Sequence, residues 1–146
     1  MTLDSESVLD VRGCDWVPLR AIGDERGWLV SLESGGNVPF VVQRVYYIFG
    51  TQADIRRGLH AHWDLEQLVI CVSGSCRFVV DDGARRQEVR LDDPALGLHV
   101  RGVVWREMYD FSPDCVLMVL ASQHYDESDY IRDYPSFMAA VKGAEA

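Results

Sequence analysis

Residues 67–91, QLVICVSGSCRFVVDDGARRQEVRL, decide the fold class of this chain. Short apolar runs rich in Val and Ile are separated here by two turn signals, Gly74-Ser75 and Asp82-Gly83. Runs of this length, bounded by glycine and aspartate, are typical of antiparallel strands joined by tight turns. The stretch therefore predicts two successive β-hairpins.

The same pattern continues on both sides of this stretch. The runs WVPLRAI, WLVSL and VPFVVQRVYYIFG precede it, and LGLHV, VVWREMYDF and CVLMVLAS follow it. Nothing between Trp16 and Ser122 has the spacing of a crossover helix, which argues against a parallel α/β sheet. Strands at this density predict an all-β sandwich or barrel.

The C-terminal segment has a different character. From Asp129 onward apolar residues recur at helical spacing, Pro135 suits a first turn and Gly143 suits the end of a helix. We predict a short helix packed on the barrel. Because the chain has 146 residues and no internal linker or repeat, we predict that residues 1–146 form a single domain.

Charge and hydropathy exclude several classes of protein. A net charge of −9 argues against a nucleic-acid partner, since binding phosphates along a strand takes clustered Lys and Arg. No apolar run approaches the roughly 20 residues that span a bilayer, and the start, MTLDSESVLD, lacks the basic-then-apolar order of a secretion signal. We expect a cytoplasmic protein without a membrane partner.

The cysteines are expected to be thiols, because a reducing compartment keeps them so. They are Cys14, Cys71, Cys76 and Cys115. A two-residue hairpin turn at Gly74-Ser75 pairs Cys71 with Phe78, so it predicts that the sulfurs of Cys71 and Cys76 do not face each other.

The stretch RRGLHAHWDLEQ, residues 56–67, carries the chemistry. On a strand alternate side chains share a face, so His60 and His62 point into one space and Ala61 turns away. This arrangement suits a metal site, a proton-transfer site, or a purely structural histidine pair whose burial requires hydrogen-bond partners.

The metal alternative depends on a second segment. Gly58, His60, His62, Glu66 and Gly74 approximate the first motif of the cupin superfamily. In metal-binding cupins a later hairpin supplies a further histidine, but LGLHVRGVVWREM, residues 96–108, places Trp105 at that position. An indole nitrogen only donates hydrogen bonds and cannot ligate a cation. We therefore predict no metal and no cofactor.

A tyrosine on an earlier strand either packs in the core with its hydroxyl hydrogen-bonded or shares a pocket with the histidines. In QRVYYIF the residues Arg44, Tyr46 and Ile48 lie on one strand face, and Tyr47 lies on the other. A phenol opposite two imidazoles forms an acid–base set that can move protons near neutral pH.

Several segments together resemble the sugar-nucleotide 3,4-ketoisomerase family of the cupin superfamily. They are RVYYIFG, RRGLHAH, EQLVICVSGSCRFVVDDG, GLHV, WREMYDFSPDCVLMVLAS and YDESDYIRDYPSF. The resemblance runs from Trp16 to Phe137 and implies an antiparallel jelly-roll barrel, an enzyme that works without metal, and a homodimer. It implies a dTDP-linked 4-keto-6-deoxyhexose, dTDP-4-keto-6-deoxyglucose, as substrate, whose keto group moves from C4 to C3 in deoxysugar biosynthesis.

The resemblance also suggests roles for residues. The family's active-site histidines fall on His60 and His62, and its tyrosine falls within the Tyr46–Tyr47 pair, of which we favour Tyr46 because it shares a face with Arg44. Our hypothesis makes His62 the base at C3, with His60 and Tyr46 handling protons on the sugar oxygens.

Substrate contacts are predicted from side-chain chemistry. Arginine forks match phosphate oxygens, so we assign the diphosphate to Arg44, Arg57 and Arg106. Gln67 and Glu107 are expected to bind sugar hydroxyls or to orient a histidine, and Trp105 is expected to contact the substrate. Trp63 replaces a lysine that is common in the family, and alternation turns it away from the histidines.

The sequence is also compatible with three other functions. A deoxysugar-nucleotide epimerase has a similar barrel and a histidine base but leaves the carbonyl in place. A metal-dependent cupin dioxygenase needs an unexpected ligand, and a non-catalytic sugar-nucleotide-binding module shows no hydrogen exchange. The gluco or galacto configuration of the new C4 centre depends on which face receives the proton, and the sequence leaves it undecided.

Overall fold

The computed structural model describes residues 2–3 and 8–145. The predicted absence of a secretion signal rested on the N-terminal stretch MTLDSESVLD, and part of this stretch therefore lies outside the described residues. The described elements are β1 Thr2–Leu3, β2 Cys14–Pro18, β3 Ala21–Asp24, β4 Gly27–Val30, β5 Arg44–Ile48, β6 Arg57–His62, β7 Gln67–Ser73, β8 Cys76–Asp81, β9 Arg86–Leu91, β10 Leu96–Val100, β11 Trp105–Tyr109, β12 Val116–Ala121, β13 Tyr130–Ile131 and the helix α1 Tyr134–Glu145.

Two facing sheets form a jelly roll. One has the order β1-β9-β8-β11-β6-β13, the other has the order β2-β10-β7-β12-β5, and β3 and β4 form a separate hairpin. Neighbouring strands are antiparallel except β1 and β9. The predicted all-β jelly-roll fold with a short C-terminal helix is confirmed.

One of the two predicted hairpins is present and the other is not. β8 pairs with β9 through the turn at Asp82-Gly83, with Asp81 opposite Arg86. The predicted hairpin at Gly74-Ser75 is wrong, because β7 pairs with β10 and β12 whereas β8 pairs with β9 and β11. Gly74, at φ +68°, instead carries the chain from one sheet to the other.

This crossing also changes the prediction for the cysteines. Inner faces of both sheets point into the same core, so the thiols of Cys71 and Cys76 interact, and Cys71 Sγ lies 3.8 Å from Cys115 Sγ. The predicted separation of Cys71 from Cys76 is therefore wrong. All four cysteines are buried free thiols.

Apolar residues pack in three places. The largest cluster fills the space between the sheets and includes Phe78, Leu98 and Leu117. Residues around Phe40 and Leu68 cover the outer face of the five-stranded sheet, and Phe137 of α1 packs against the outer face of the six-stranded sheet.

The helix α1 begins as the sequence predicts. The Asp133 carboxylate accepts a hydrogen bond from Ser136 N at 2.9 Å and caps the first turn, where Pro135 lies. The helix continues past Gly143 to Glu145, so the predicted end at Gly143 is wrong. Within the described residues, no helix combines the length and apolar character needed to cross a membrane.

Candidate active site

The candidate site is a cleft between the edges of the two sheets. The edge strand β5 faces β6 and β13 there, and the space between them has a volume of about 400 Å³. Its lining residues are Arg44, Val45, Tyr46, Ile48, Arg57, Gly58, His60, Met108, Tyr130 and Arg132.

Strand β5 presents the face that alternation predicts. Arg44, Tyr46 and Ile48 are partly buried and line the cleft, whereas Tyr47 is 64% exposed on the opposite face. Of the two adjacent tyrosines, Tyr46 is therefore the one that reaches the pocket.

The two histidines lie together on β6. Their ring centroids are 4.8 Å apart in an edge-to-face arrangement, and Ala61 is fully buried on the other side. A bulge precedes them: Gly58 and Leu59 have φ values of +82° and +58°, and the pairing with β11 shifts there. Gly58 permits this backbone, which sets the direction in which His60 enters the cleft.

His60 presents a free acceptor to the cleft. Its Nδ1 lies 3.0 Å from the carbonyl oxygen of Gly58, which can only accept, so Nδ1 carries the proton. Burial, together with the positive charge of Arg106, lowers the pKa of His60 to about 4. Near neutral pH, His60 is therefore a neutral imidazole whose Nε2 can accept a proton.

His62 lies deeper than His60. It is 1% exposed, and its Nδ1 lies 3.2 Å from Oδ2 of Asp129. Burial lowers the pKa of His62 to about 2, so this contact is a hydrogen bond from a neutral ring rather than an ion pair. Its Nε2 is buried and has no hydrogen-bond partner in the described part of the chain.

A chain of hydrogen bonds runs beneath the cleft from Arg106 to Tyr46. Arg106 donates to Gln67 Oε1 at 2.6 Å and to the carbonyl of Val104 at 2.9 Å. The amide of Gln67 in turn donates to the Tyr46 hydroxyl oxygen at 3.0 Å. Because the Tyr46 hydroxyl oxygen accepts this hydrogen bond from Gln67, its own proton can be donated to another group.

This network shows where two predicted substrate contacts lie. Arg106 is 1% exposed and holds Gln67, so it lies behind the cleft rather than at its mouth, and its predicted contact with the diphosphate stays a prediction. Gln67 is 3% exposed and orients Tyr46 rather than a histidine. Burial lowers the pKa of Arg106 to about 10, which leaves a protonated guanidinium behind the pocket at neutral pH.

Trp105 and Glu107 lie on the outer face of the six-stranded sheet. Trp105 packs against Phe137 of α1 and donates from Nε1 to Glu107 Oε2 at 2.8 Å. Glu107 also accepts hydrogen bonds from Arg56 and Arg86. Both residues alternate with Arg106 along β11 and lie outside the lining of the cleft, so the structure does not bring these two predicted substrate contacts to the histidines.

Three functional candidates on the segment after β12 were not singled out from the sequence. The Tyr130 ring lies 5.1 Å from His60 and 4.3 Å from His62, and Arg132 stacks on Tyr130 at 4.2 Å. Asp129 supports His62 from behind. The segment YDESDYIR carried the family resemblance, but its residues could not be placed without the pairing of β13 with β6.

The remaining motif residues lie elsewhere. Glu66 accepts a hydrogen bond from His99 Nε2 at 2.9 Å and lines a different surface pocket. Trp63 is 48% exposed and lies outside the cleft, as alternation predicts. Among the described residues, no group of three or more His, Cys, Asp or Glu side chains is arranged to hold a metal ion.

The lowered pKa of His60 predicts how stability depends on pH. Above pH 6.5 the ring is neutral in both states, but between 6.5 and about 4 only the unfolded chain binds the proton. Folding stability is therefore lost as the pH falls through this window, by at most about 3 kcal/mol from His60. Urea unfolding at pH 7 and pH 4.5 should show a smaller loss for His60→Asn than for the wild type. Equal losses would contradict this burial.

Comparisons with known proteins agree on one family. The sequence model of the family described as "WxcM-like, C-terminal" (FdtA) matches residues 12–142. The chain is 54% identical over 121 residues to TDP-4-oxo-6-deoxy-alpha-D-glucose-3,4-oxoisomerase of Aneurinibacillus thermoaerophilus, covering 83% of this chain and 87% of the relative.

Solved structures are similar over nearly the whole fold. A mutant 3,4-ketoisomerase of Thermoanaerobacterium thermosaccharolyticum in complex with TDP-4-keto-6-deoxyglucose has a TM-score of 0.90 and 38% identity, with 92% of this chain and 97% of that chain covered. A TDP-quinovose 3,4-ketoisomerase of Campylobacter jejuni has a TM-score of 0.85 and 45% identity, with 88% and 99% covered.

Proposed function

We propose that this chain, which belongs to the WxcM-like, C-terminal family, converts TDP-4-keto-6-deoxyglucose into its 3-keto isomer. The observation that carries the proposal is a neutral His60 whose Nε2 is an available acceptor at the wall of a cleft that also holds a phenol. The oxoisomerase and ketoisomerase relatives support the choice of substrate.

The reaction needs one base at carbon and proton exchange at two oxygens. The C4 carbonyl makes the hydrogen on C3 acidic, and its removal forms an enediolate across C3 and C4. A proton then adds to C4, while O4 takes up a proton and O3 gives one up, so that the carbonyl ends at C3. No electron acceptor is required, because C3 is oxidised as C4 is reduced.

His60 is better placed than His62 to be the base. His62 is 1% exposed behind the cleft, whereas His60 lines it and its Nε2 has no hydrogen-bond partner among the described residues. This assignment revises the hypothesis based on sequence, which gave the C3 proton to His62. A positioned base contributes about 10²–10⁴-fold to a rate.

Tyr46 can donate to the sugar oxygen that becomes negative. Burial raises the pKa of Tyr46, so the phenol stays protonated, and Gln67 fixes its oxygen. Donors that are already oriented toward a developing oxyanion supply a large part of the rate acceleration in such reactions. The buried guanidinium of Arg106 adds positive charge behind the same oxygen.

The mouth of the cleft is suited to a diphosphate. The guanidinium groups of Arg44, Arg57 and Arg132 line it, and Arg44 lies 5.3 Å from the centroid of the Tyr46 ring. Of the arginines predicted for the diphosphate, Arg44 and Arg57 remain candidates, and Arg132 joins them.

Arg57 is the diphosphate contact with the clearest test. Arg57→Gln is expected to weaken binding of TDP about 10-fold, because a charge-assisted hydrogen bond is worth roughly 1.5–3 kcal/mol and the cleft mouth is open to solvent. Isothermal titration calorimetry with TDP measures the effect. Arg90→Gln, an exposed arginine on β9, is the matched control and should bind as the wild type does. Equal affinities of the two variants would remove Arg57 from the diphosphate site.

Proton NMR of the reaction in deuterated water tests the proposed activity against its rivals. The ketoisomerase is expected to remove the C3 hydrogen signal and to form a new centre at C4 that carries deuterium. The same reaction in ordinary water keeps hydrogen at C4, and its coupling to H5 reports the gluco or galacto configuration. An epimerase would exchange hydrogen at C3 or C5 and keep the carbonyl at C4. A binding module would leave every signal in place.

A homodimer is proposed from the apolar side chains on the surface. Ile22, Trp28 and Leu29 of the β3–β4 hairpin are exposed, as are Tyr47 on the edge strand β5 and Phe49 just after it. Exposed apolar patches mark contact sites for other molecules, and an uncovered edge strand offers unpaired backbone groups to a second chain. Light scattering is expected to give twice the 16.5 kDa of one chain, and the double variant Tyr47→Glu/Phe49→Glu is expected to be monomeric. A monomeric wild type would contradict the dimer.

A further inference from the structure

Asp129 supports His62 from behind. Its side chain is buried, and its Oδ2 faces Nδ1 of His62 at 3.2 Å. Asp129 directly precedes β13, whose Tyr130 and Ile131 pair with His62 and Ala61. The carbonyl of Asp129 also accepts a hydrogen bond from Trp63 N at 3.1 Å. Backbone and side chain therefore both tie this residue to the end of β6.

Two backbone groups determine what the Asp129 carboxylate can do. Asp64 N donates to Oδ1 at 2.9 Å, and Leu65 N donates to Oδ2 at 3.2 Å. Because backbone N–H groups only donate, both oxygens are held as acceptors. The His62 nitrogen that faces Oδ2 must then be the donor.

We propose that Asp129 is a positioning residue that fixes His62 as the Nδ1–H tautomer and keeps its Nε2 as an acceptor for a sugar hydroxyl. The inference rests on the proposed ketoisomerase function for the identity of that hydroxyl. Within the described residues, the Asp129 carboxylate hydrogen-bonds to His62 and to the backbone of the turn after β6, so it acts through the histidine.

The unpartnered Nε2 of His62 supports this assignment. It is buried, and it belongs to a ring that lies 4.8 Å from His60 and 4.3 Å from Tyr130, both of which line the cleft. Buried polar atoms in folded proteins nearly always have a partner, and an exception needs an explanation. A donor that arrives with the substrate provides one, since each sugar hydroxyl can donate a hydrogen bond.

Histidine NMR separates this role from general structural support. Long-range proton–nitrogen spectra of the wild type are expected to show the His62 proton on Nδ1 and a bare Nε2 between pH 5 and 9. Asp129→Ala removes the acceptor, so the proton should move to Nε2, with kcat falling on the order of 10²-fold, as for other residues that orient a catalytic histidine. Asp92→Ala, the same substitution at an exposed aspartate in the turn after β9, should leave both unchanged.

The wild-type spectrum decides the matter even where Asp129→Ala does not fold. A proton found on Nε2 of His62 in the wild type would overturn the inference, as would a folded Asp129→Ala with unchanged tautomer and unchanged kcat. The His62 tautomer is measured without substrate, so this test does not depend on the proposed isomerase activity. A protein with the expected tautomer that does not move the carbonyl would contradict the proposed function and leave the role of Asp129 intact.

Discussion

Replacing His60 by asparagine is expected to lower kcat by about 10³-fold while the protein remains folded. Nε2 of His60 is the acceptor that lines the cleft, and asparagine has no group that can take a proton from carbon. The effect should appear in kcat rather than in KM, because His60 acts on the reacting carbon and the diphosphate is held by the arginines at the mouth. Steady-state rates with TDP-4-keto-6-deoxyglucose measure both constants.

The control for this variant is His124→Asn. His124 is exposed and lies in a different surface pocket, so the same substitution there should leave kcat unchanged. A His60→Asn enzyme that keeps a tenth or more of the wild-type kcat would remove His60 as the base and return the role to His62.

Replacing Tyr46 by phenylalanine is expected to lower kcat on the order of 10²-fold, the loss found when one donor to an oxyanion is removed. The substitution removes the donor to the enediolate oxygen and leaves the Gln67 amide without its acceptor. Because Gln67 also holds Arg106, the thermal midpoint should fall as well. Turnover and thermal unfolding of the variant measure the two effects.

Tyr47→Phe is a matched control one residue away. Tyr47 is 64% exposed on the opposite face of β5, so loss of its hydroxyl should not affect turnover. If the two variants had the same kcat, the phenol in the cleft would have no part in the chemistry.

Alternation along single strands was the most reliable guide to the site. It correctly placed Arg44 and Tyr46 on one face of β5, and His60 and His62 together on β6. Applied to β11, the same rule separates Trp105 and Glu107 from Arg106, and the predicted substrate contacts of the first two residues neglected it.

Contacts between distant segments could not be predicted from the sequence. Whether Arg106 faces solvent or the barrel core depends on the pairing of β11 with β8 and β6. The sequence alone predicts an exposed side chain for a charged residue. The hairpin predicted at Gly74 failed for the same kind of reason, because a glycine turn can join strands of one sheet or carry the chain to the other. Asp129 reaches His62 across 67 positions, and no local pattern indicates that.

The choice between the two histidines likewise depended on burial. Both imidazoles share a face and look equivalent in HAH, but the bulge at Gly58 and Leu59 brings His60 into the cleft. Asp129 holds His62 behind it. The geometry thus favours a division of labour, with His60 acting on carbon and His62 acting as a fixed acceptor.

The position of the carbonyl in the product tests the central claim most directly. With hexose-labelled [¹³C]TDP-4-keto-6-deoxyglucose and purified protein, carbon NMR is expected to show the ketone resonance move from C4 to C3. A ketone that stays at C4 after prolonged incubation, with or without hydrogen exchange at C3 or C5, would contradict the proposed isomerisation.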